Sequence, residues 1–145
     1  MTTPDRPAPQ FTWGEFACKD AQRTPYPDAW RLTRGVPLGL ECERIRAKIG
    51  PFTPDSVFRT WAHHLAIYAD MTPPQIPPAR SQHLDGRAAD IPKPAKMPWD
   101  EFQAHLSAAS AEPESLIRYL CFYPEQGFAH IDIRPTQFLV VESKV

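Results

Sequence analysis

Apolar positions along the chain follow two periods. Between residues 37 and 49, Leu38, Cys42, Ile45 and Ile49 recur at i, i+4, i+7 and i+11, the spacing of one helix face, and Gly50-Pro51 supplies the stop. A second helix is predicted over 98–109, where Pro98 stands at the first turn and Trp99, Phe102 and Leu106 share a side. Another helical stretch is expected to open at Pro113. RAADI (87–91), RYLCFY (118–123), FAHIDIR (128–134) and FLVVE (138–142) read as strands, with period two in FAHIDIR. PEQG and PT separate the last three, as in an antiparallel meander. SVFRT (56–60) has the content of a short strand, and WAHHLAIYAD (61–70) continues as a helical turn or two. Phe11, Trp13 and Phe16 form an aromatic anchor over 11–17. The four prolines of MTPPQIPPAR (71–80) exclude a regular helix or central strand and make that segment a delivering loop. Helices first and strands later predict an α+β domain, a small antiparallel sheet with helices packed on it, without internal repeats.

The length of 145 residues fits one core, with residues 1–10 read as a flexible N-terminal tail and 11–145 as a single domain. Proline is the outlier, at 18 residues or about 12% against a usual ~5%, but it alternates with aromatic and aliphatic residues that supply buriable surface. A net charge of −1 lacks the basic excess a phosphate backbone demands, so nucleic acid is not an expected partner. No apolar run approaches the ~20 residues of a membrane span, and MTTPDRPAPQ has no apolar signal core. A soluble monomer made in the cytoplasm is expected. Cys18, Cys42 and Cys121 are odd in number and widely spaced, and read as reduced packing residues.

Chemistry concentrates in two segments. In SQHLDGRAAD (81–90), His83 precedes Asp90 by seven residues across a Gly-containing turn. In GFAHIDIR (127–134), alternation puts Phe128, His130, Asp132 and Arg134 on one strand face and Ala129, Ile131 and Ile133 on the other. Asp90 shares a face with Ala88 and can meet His130 if the two strands are neighbours. Two neutral imidazoles and a carboxylate are a ligand set for a divalent metal with an open position, and zinc is the commonest occupant. Taken singly, each residue has an ordinary reading as a polar partner; the pairing of strand-borne histidines with nearby aspartate favours the metal. His63 and His64 are adjacent and point in different directions, so a shared metal is not expected there, and His105 is expected to face solvent. Trp61, Trp99 and Tyr123 are groove candidates, with packing as the more frequent use of such rings.

Ser81 through Asp90 carry every fixed position of the S-x-H-x-x-G-x-A-x-D signature, and the segment resembles the zinc D-alanyl-D-alanine carboxypeptidase family, which includes phage endolysin peptidases and resembles the hedgehog signalling domain. GFAHIDIR is similar to that family's closing G-F-V-H-x-D-x-R strand. SVFRT is similar to its S-G-Y-R-T segment, with Val57 and Phe58 as the departures, and FTWGEFACKD resembles the opening of one branch. The resemblance spans residues 11 to 134. It implies a hedgehog/D-Ala-D-Ala peptidase-like fold, with Zn²⁺ on His83, Asp90 and His130. It also implies that Arg59 recognises a substrate carboxylate or carbonyl, a task its planar fork of donors suits, although a structural salt bridge is the general alternative. Ser81 is expected to bind substrate or brace its loop.

The general base departs from the pattern. Branches of the family carry Glu or Asp three residues before the last ligand, where this chain has Gly127. Asp132 is the first candidate and Glu125 the second, and Asp132 serves equally well as a partner that orients a ligating imidazole. The expected activity is hydrolysis of peptidoglycan stem peptides, as a D,D-carboxypeptidase, a D,D-endopeptidase or an L-alanyl-D-glutamate endopeptidase. A non-catalytic zinc-containing, hedgehog-like binding domain is the alternative. A non-haem iron enzyme is a third, weakened because no His follows Asp132. A chain without a signal peptide would reach the wall by release or delivery, as in a phage or prophage setting.

Overall fold

The structure is a computed structural model and describes residues 2–144. Its elements run α1 (Trp13–Phe16), α2 (Asp28–Trp30), a π-helical turn (Arg31–Gly35), α3 (Val36–Ile49), α4 (Trp61–Ala69), β1 (Ala88–Pro92), α5 (Trp99–Ala111), β2 (Tyr119–Tyr123), β3 (Phe128–Asp132) and β4 (Val140–Ser143). Local chemistry explains several boundaries. Thr12 and Glu15 form a reciprocal capping box on α1, and the Thr60 hydroxyl accepts the His63 N–H to cap α4. Gly50, at φ 90°, closes α3 by returning its N–H to Arg46 O. Pro98 sits at the N-cap of α5, with Asp100 and Glu101 in the first turn, where the helix dipole favours them.

The architecture is α+β, with one four-stranded mixed sheet in the order β1-β3-β2-β4. β3 pairs antiparallel with β1 on one side and β2 on the other, whereas β4 lies parallel to β2 at the edge. The expected meander is therefore corrected. β1 and β2 already occupy both edges of β3, so the chain after Asp132 passes the end of β2 and pairs on that strand's free side. Two other expectations also change. SVFRT forms no strand and touches the sheet through a single Ser56–Asp90 bridge. No helix opens at Pro113, and residues 112–118 run as an irregular connection into β2.

Period two sorts the sheet cleanly. Ala89, Ile91, Leu120, Phe122, Ala129 and Ile131 face the core, where they meet Leu38, Cys42 and Ile45 of α3 and Phe102 and Leu106 of α5. The buried Glu41 carboxylate accepts from Arg44 at 2.6 Å and from Ser115 at 2.8 Å, tying α3 to the segment after α5. Part of the segment read as a tail packs on the domain. Pro4 O accepts the Trp13 indole N–H at 2.9 Å, Ala8 is buried, and Pro7 lies so close to α3 that a Cβ at Gly39 would sit 2.6 Å from its carbonyl oxygen. Among the described residues, no helix is long and apolar enough to cross a membrane.

Candidate metal centre

Strand register brings the two sequence segments together. Asp90 of β1 stands opposite His130 of β3, and paired residues of antiparallel strands project to the same face. That face is the one opposite Ala89, Ile91, Ala129 and Ile131, as the alternation predicts. His83 arrives from the turn before β1. Its peptide N–H donates to the Ser81 hydroxyl at 3.3 Å, and Gly86 N–H returns to His83 O at 3.2 Å. Gly86 has φ 68°, and a Cβ there would stand 2.8 Å from the Tyr26 hydroxyl and 3.0 Å from Trp30. Glycine is required on both counts. Tyr26 donates its hydroxyl to Gly86 O and Arg34 donates to Asp85 O at 2.9 Å, so the helical side of the domain clamps the turn that presents His83.

One ligand atom from each of His83, Asp90 and His130 lies within 4.8 Å of the others. His83 Nε2 and His130 Nδ1 are each 3.2 Å from Asp90 Oδ1. The opposite nitrogen of each ring is already committed. His83 Nδ1–H donates to Val57 O at 2.7 Å, and His130 Nε2–H donates to Asp132 Oδ2 at 2.7 Å. The neutral tautomers are thereby set so that, in each, the lone pair would face the same carboxylate oxygen. Three acceptors converging in this way repel one another unless a proton or a cation lies between them. The residues therefore fit a divalent metal, with each imidazole oriented by a hydrogen bond from its far side.

Electrostatics agree with that geometry. Burial works against ionisation of Asp90, but the neighbouring imidazoles outweigh it and hold the carboxyl well below the usual range. Burial also lowers His83, keeping it neutral. His130 goes the other way: burial opposes its charged form, yet Asp132 and then Asp90 prevail and raise the ring to about 9. That shift favours a proton on His130 Nδ1, donated to Asp90 Oδ1, whenever no cation takes its place.

Around the triad is a cleft of about 610 Å³. Arg59 stands on its wall, donating Nε–H to Ser56 Oγ at 3.0 Å and Nη2–H to Asp90 Oδ2 at 3.4 Å. Asp90 thus divides its oxygens, Oδ1 to the histidines and Oδ2 to the arginine. Ser81 lines the cleft and also braces His83. Tyr123 and Phe128 stack with ring centroids 4.6 Å apart on the sheet side, with Tyr119 beside His130.

The two candidate bases are placed differently from the expectation. Asp132 is fully buried, does not line the cleft, and gives its oxygens to His130 and to a bidentate Arg134 at 2.7 Å through each contact. Burial opposes its charge, but Arg134 and His130 hold it ionised below the usual range. Both oxygens are thus taken by His130 and Arg134, the arrangement of the orienting role. Glu125 is exposed on the β2–β3 turn and does not line the cleft. Among the described residues, the carboxylates lining the cleft are Asp55 and Asp90, and partial burial followed by the charge of Asp90 raises Asp55 above the usual range.

Other predicted residues stay apart. Trp99 packs against Phe102 and Phe122, Trp61 is half-exposed outside the cleft, and His105 faces Glu101 at 3.7 Å on α5. Sequence reasoning missed Asp55 on the cleft wall and two neighbours of the site, His64 and Tyr119. His64 is fully buried and meets Arg59, and Tyr119 carries the Arg134 guanidinium 4.3 Å above its ring. Tyr119 could have been found from strand register, since it lies opposite Asp132. No family model matches the chain, and no curated protein or solved structure matches it.

Proposed function

We propose that the chain is a zinc metallopeptidase that hydrolyses peptidoglycan stem-peptide bonds, as a D-Ala-D-Ala carboxypeptidase or a murein endopeptidase. One observation carries the metal reading: His83 Nε2, Asp90 Oδ1 and His130 Nδ1 converge while Val57 O and Asp132 occupy the far side of the two rings. The resemblance of Ser81–Asp90 and of GFAHIDIR supplies the substrate class.

His83, Asp90 and His130 would hold the zinc, whose Lewis acidity serves the scissile carbonyl and lowers the pKa of a water toward about 7. Arg59 presents its remaining N–H groups to the cleft and takes a carboxylate or carbonyl of the peptide, fixing the reacting bond. Asp132 keeps the His130 tautomer and gains its own order from Arg134. Among the described residues, Asp55 is the carboxylate of the cleft wall with no ligand role. Its raised pKa suits it to accept a proton from attacking water and return it to the leaving amine. Ser81 maintains the His83 turn at the rim.

Mass analysis of purified peptidoglycan after incubation with zinc-loaded protein tests the proposal. New fragments at one defined bond, absent with the His83→Ala variant, are expected. An unchanged wall with full zinc content would favour the second reading, a non-catalytic hedgehog-like zinc domain, which the glycine at position 127 already supports.

A further inference from the structure

Arg59 is held at a third point. One Nη1 hydrogen reaches His64 Nδ1 at 3.4 Å, in addition to the bonds to Ser56 and Asp90. Those two partners lie on the β1 side of the cleft, whereas His64 belongs to α4. Its ring is fully buried, with Trp61 and Tyr68 packed against it at centroid distances of 5.7 and 5.0 Å.

The other ring nitrogen binds the proline-rich segment, with His64 Nε2–H donating to Pro78 O at 2.8 Å. A neutral imidazole has one N–H and one lone pair. A carbonyl can only accept, so Pro78 O takes the N–H and leaves Nδ1 as the acceptor that an arginine requires. Beyond the bond, Pro78, Arg80 and Ser81 continue along the cleft wall and lead to His83. A single ring therefore joins the substrate-facing guanidinium to the segment that forms the neighbouring wall.

We propose that His64 is the positioning residue of Arg59, fixing the angle at which its guanidinium meets a substrate carboxylate through a bond whose tautomer Pro78 O sets. The inference rests on the reading of Arg59 as carboxylate anchor. It differs from that reading in placing the control of the anchor on α4 and residues 71–80.

Two substitutions separate the halves of the contact. His64→Asn puts an acceptor near the place of Nδ1 and gives up Pro78, whereas His64→Gln reaches Pro78 with its amide N–H and withdraws the acceptor from Arg59. The zinc-loaded full chain is examined by NMR of the Arg59 guanidinium and by calorimetry with N-acetyl-D-alanine, whose amide is the control. Zinc content and melting temperature check that each variant folds. Resolved Nη signals, the mark of slowed guanidinium rotation, are expected in the wild type and His64→Asn, and merged signals in His64→Gln. The Kd for N-acetyl-D-alanine should rise about tenfold in His64→Gln, with little further change when Arg59→Ala is added. Resolved signals and unaltered affinity in His64→Gln would overturn the proposal. Unaltered affinity in Arg59→Ala would overturn the anchor reading instead, and merged signals in His64→Gln would then still uphold His64 as the residue that positions Arg59.

Discussion

Asp132 Oδ2 accepts the Nε2–H of His130 at 2.7 Å, and this bond decides which nitrogen of the ring turns toward Asp90. Asp132→Asn removes the charge that balances Arg134 and weakens the orienting bond. Zinc affinity should fall about 10–100-fold, with activity partly restored by excess zinc, while Glu125→Gln leaves both unchanged. Retained zinc with turnover down by about 10²–10⁴-fold in Asp132→Asn would reinstate it as the base.

The proton acceptor gives its own test. Asp55→Asn should keep one zinc per chain and lower turnover of stem peptides by about 10²–10⁴-fold. Metal analysis beside steady-state kinetics measures both, and near-normal kcat would remove Asp55 from the reaction.

Ligand removal has a simple pattern. His83→Ala and His130→Ala should lose zinc, whereas His105→Ala, on α5 beside Glu101, should retain one ion per chain. Full occupancy in either ligand variant would refute the centre.

Protons and zinc compete for His130. Its ring titrates at about 9 in the metal-free fold against 6.5 in the unfolded chain, so zinc binding near pH 7 should release about one proton from it. Affinity should climb by up to tenfold per pH unit as pH rises toward about 9, then level off. The metal-free fold shows the opposite trend: its stabilisation by protonated His130 is complete below 6.5 and disappears as pH rises through about 9. Chelator-buffered zinc titrations and metal-free melting curves across that range check both slopes, and a flat affinity profile would contradict the assigned protonation.

Gly86→Ala places a side chain on a backbone at φ 68° and against the Tyr26 hydroxyl. A loss of about 2 kcal/mol or more is expected, roughly 4–8 °C in melting temperature, together with weakened zinc binding because the His83 turn must shift. Differential scanning calorimetry of the metal-free and zinc-loaded forms gives both readings.

The centre was legible where chemistry follows local period. Alternation in FAHIDIR put His130 and Asp132 on one face, and the glycine turn between His83 and Asp90 signalled a reversal; both patterns are properties of a few adjacent residues. Nonlocal features left no such mark. Whether β4 joins β3 or β2 depends on which edge β1 has already taken, and β1 lies forty residues earlier, as Asp90 opposite His130 records. His64 looked ordinary because its partners, Arg59 and Pro78, meet it from opposite sides only once α4 has docked. Asp132 could not be assigned a role without the 2.7 Å contacts that consume its oxygens.

The π-helical turn at Arg31–Gly35 has a consequence for how the chain tolerates changes in length. Val36 N–H reaches Arg31 O, five residues back, so this turn holds one residue more than an α-helical turn would. Deleting one residue from it would heal α2 and α3 into a single α-helix and rotate everything upstream by about 100°. Trp30, which now covers Gly86 and packs edge-on against Phe58, would swing away from the turn that presents His83. A deletion of one residue, some fifty positions from His83, would thus reach the turn that presents this ligand through the Trp30 packing.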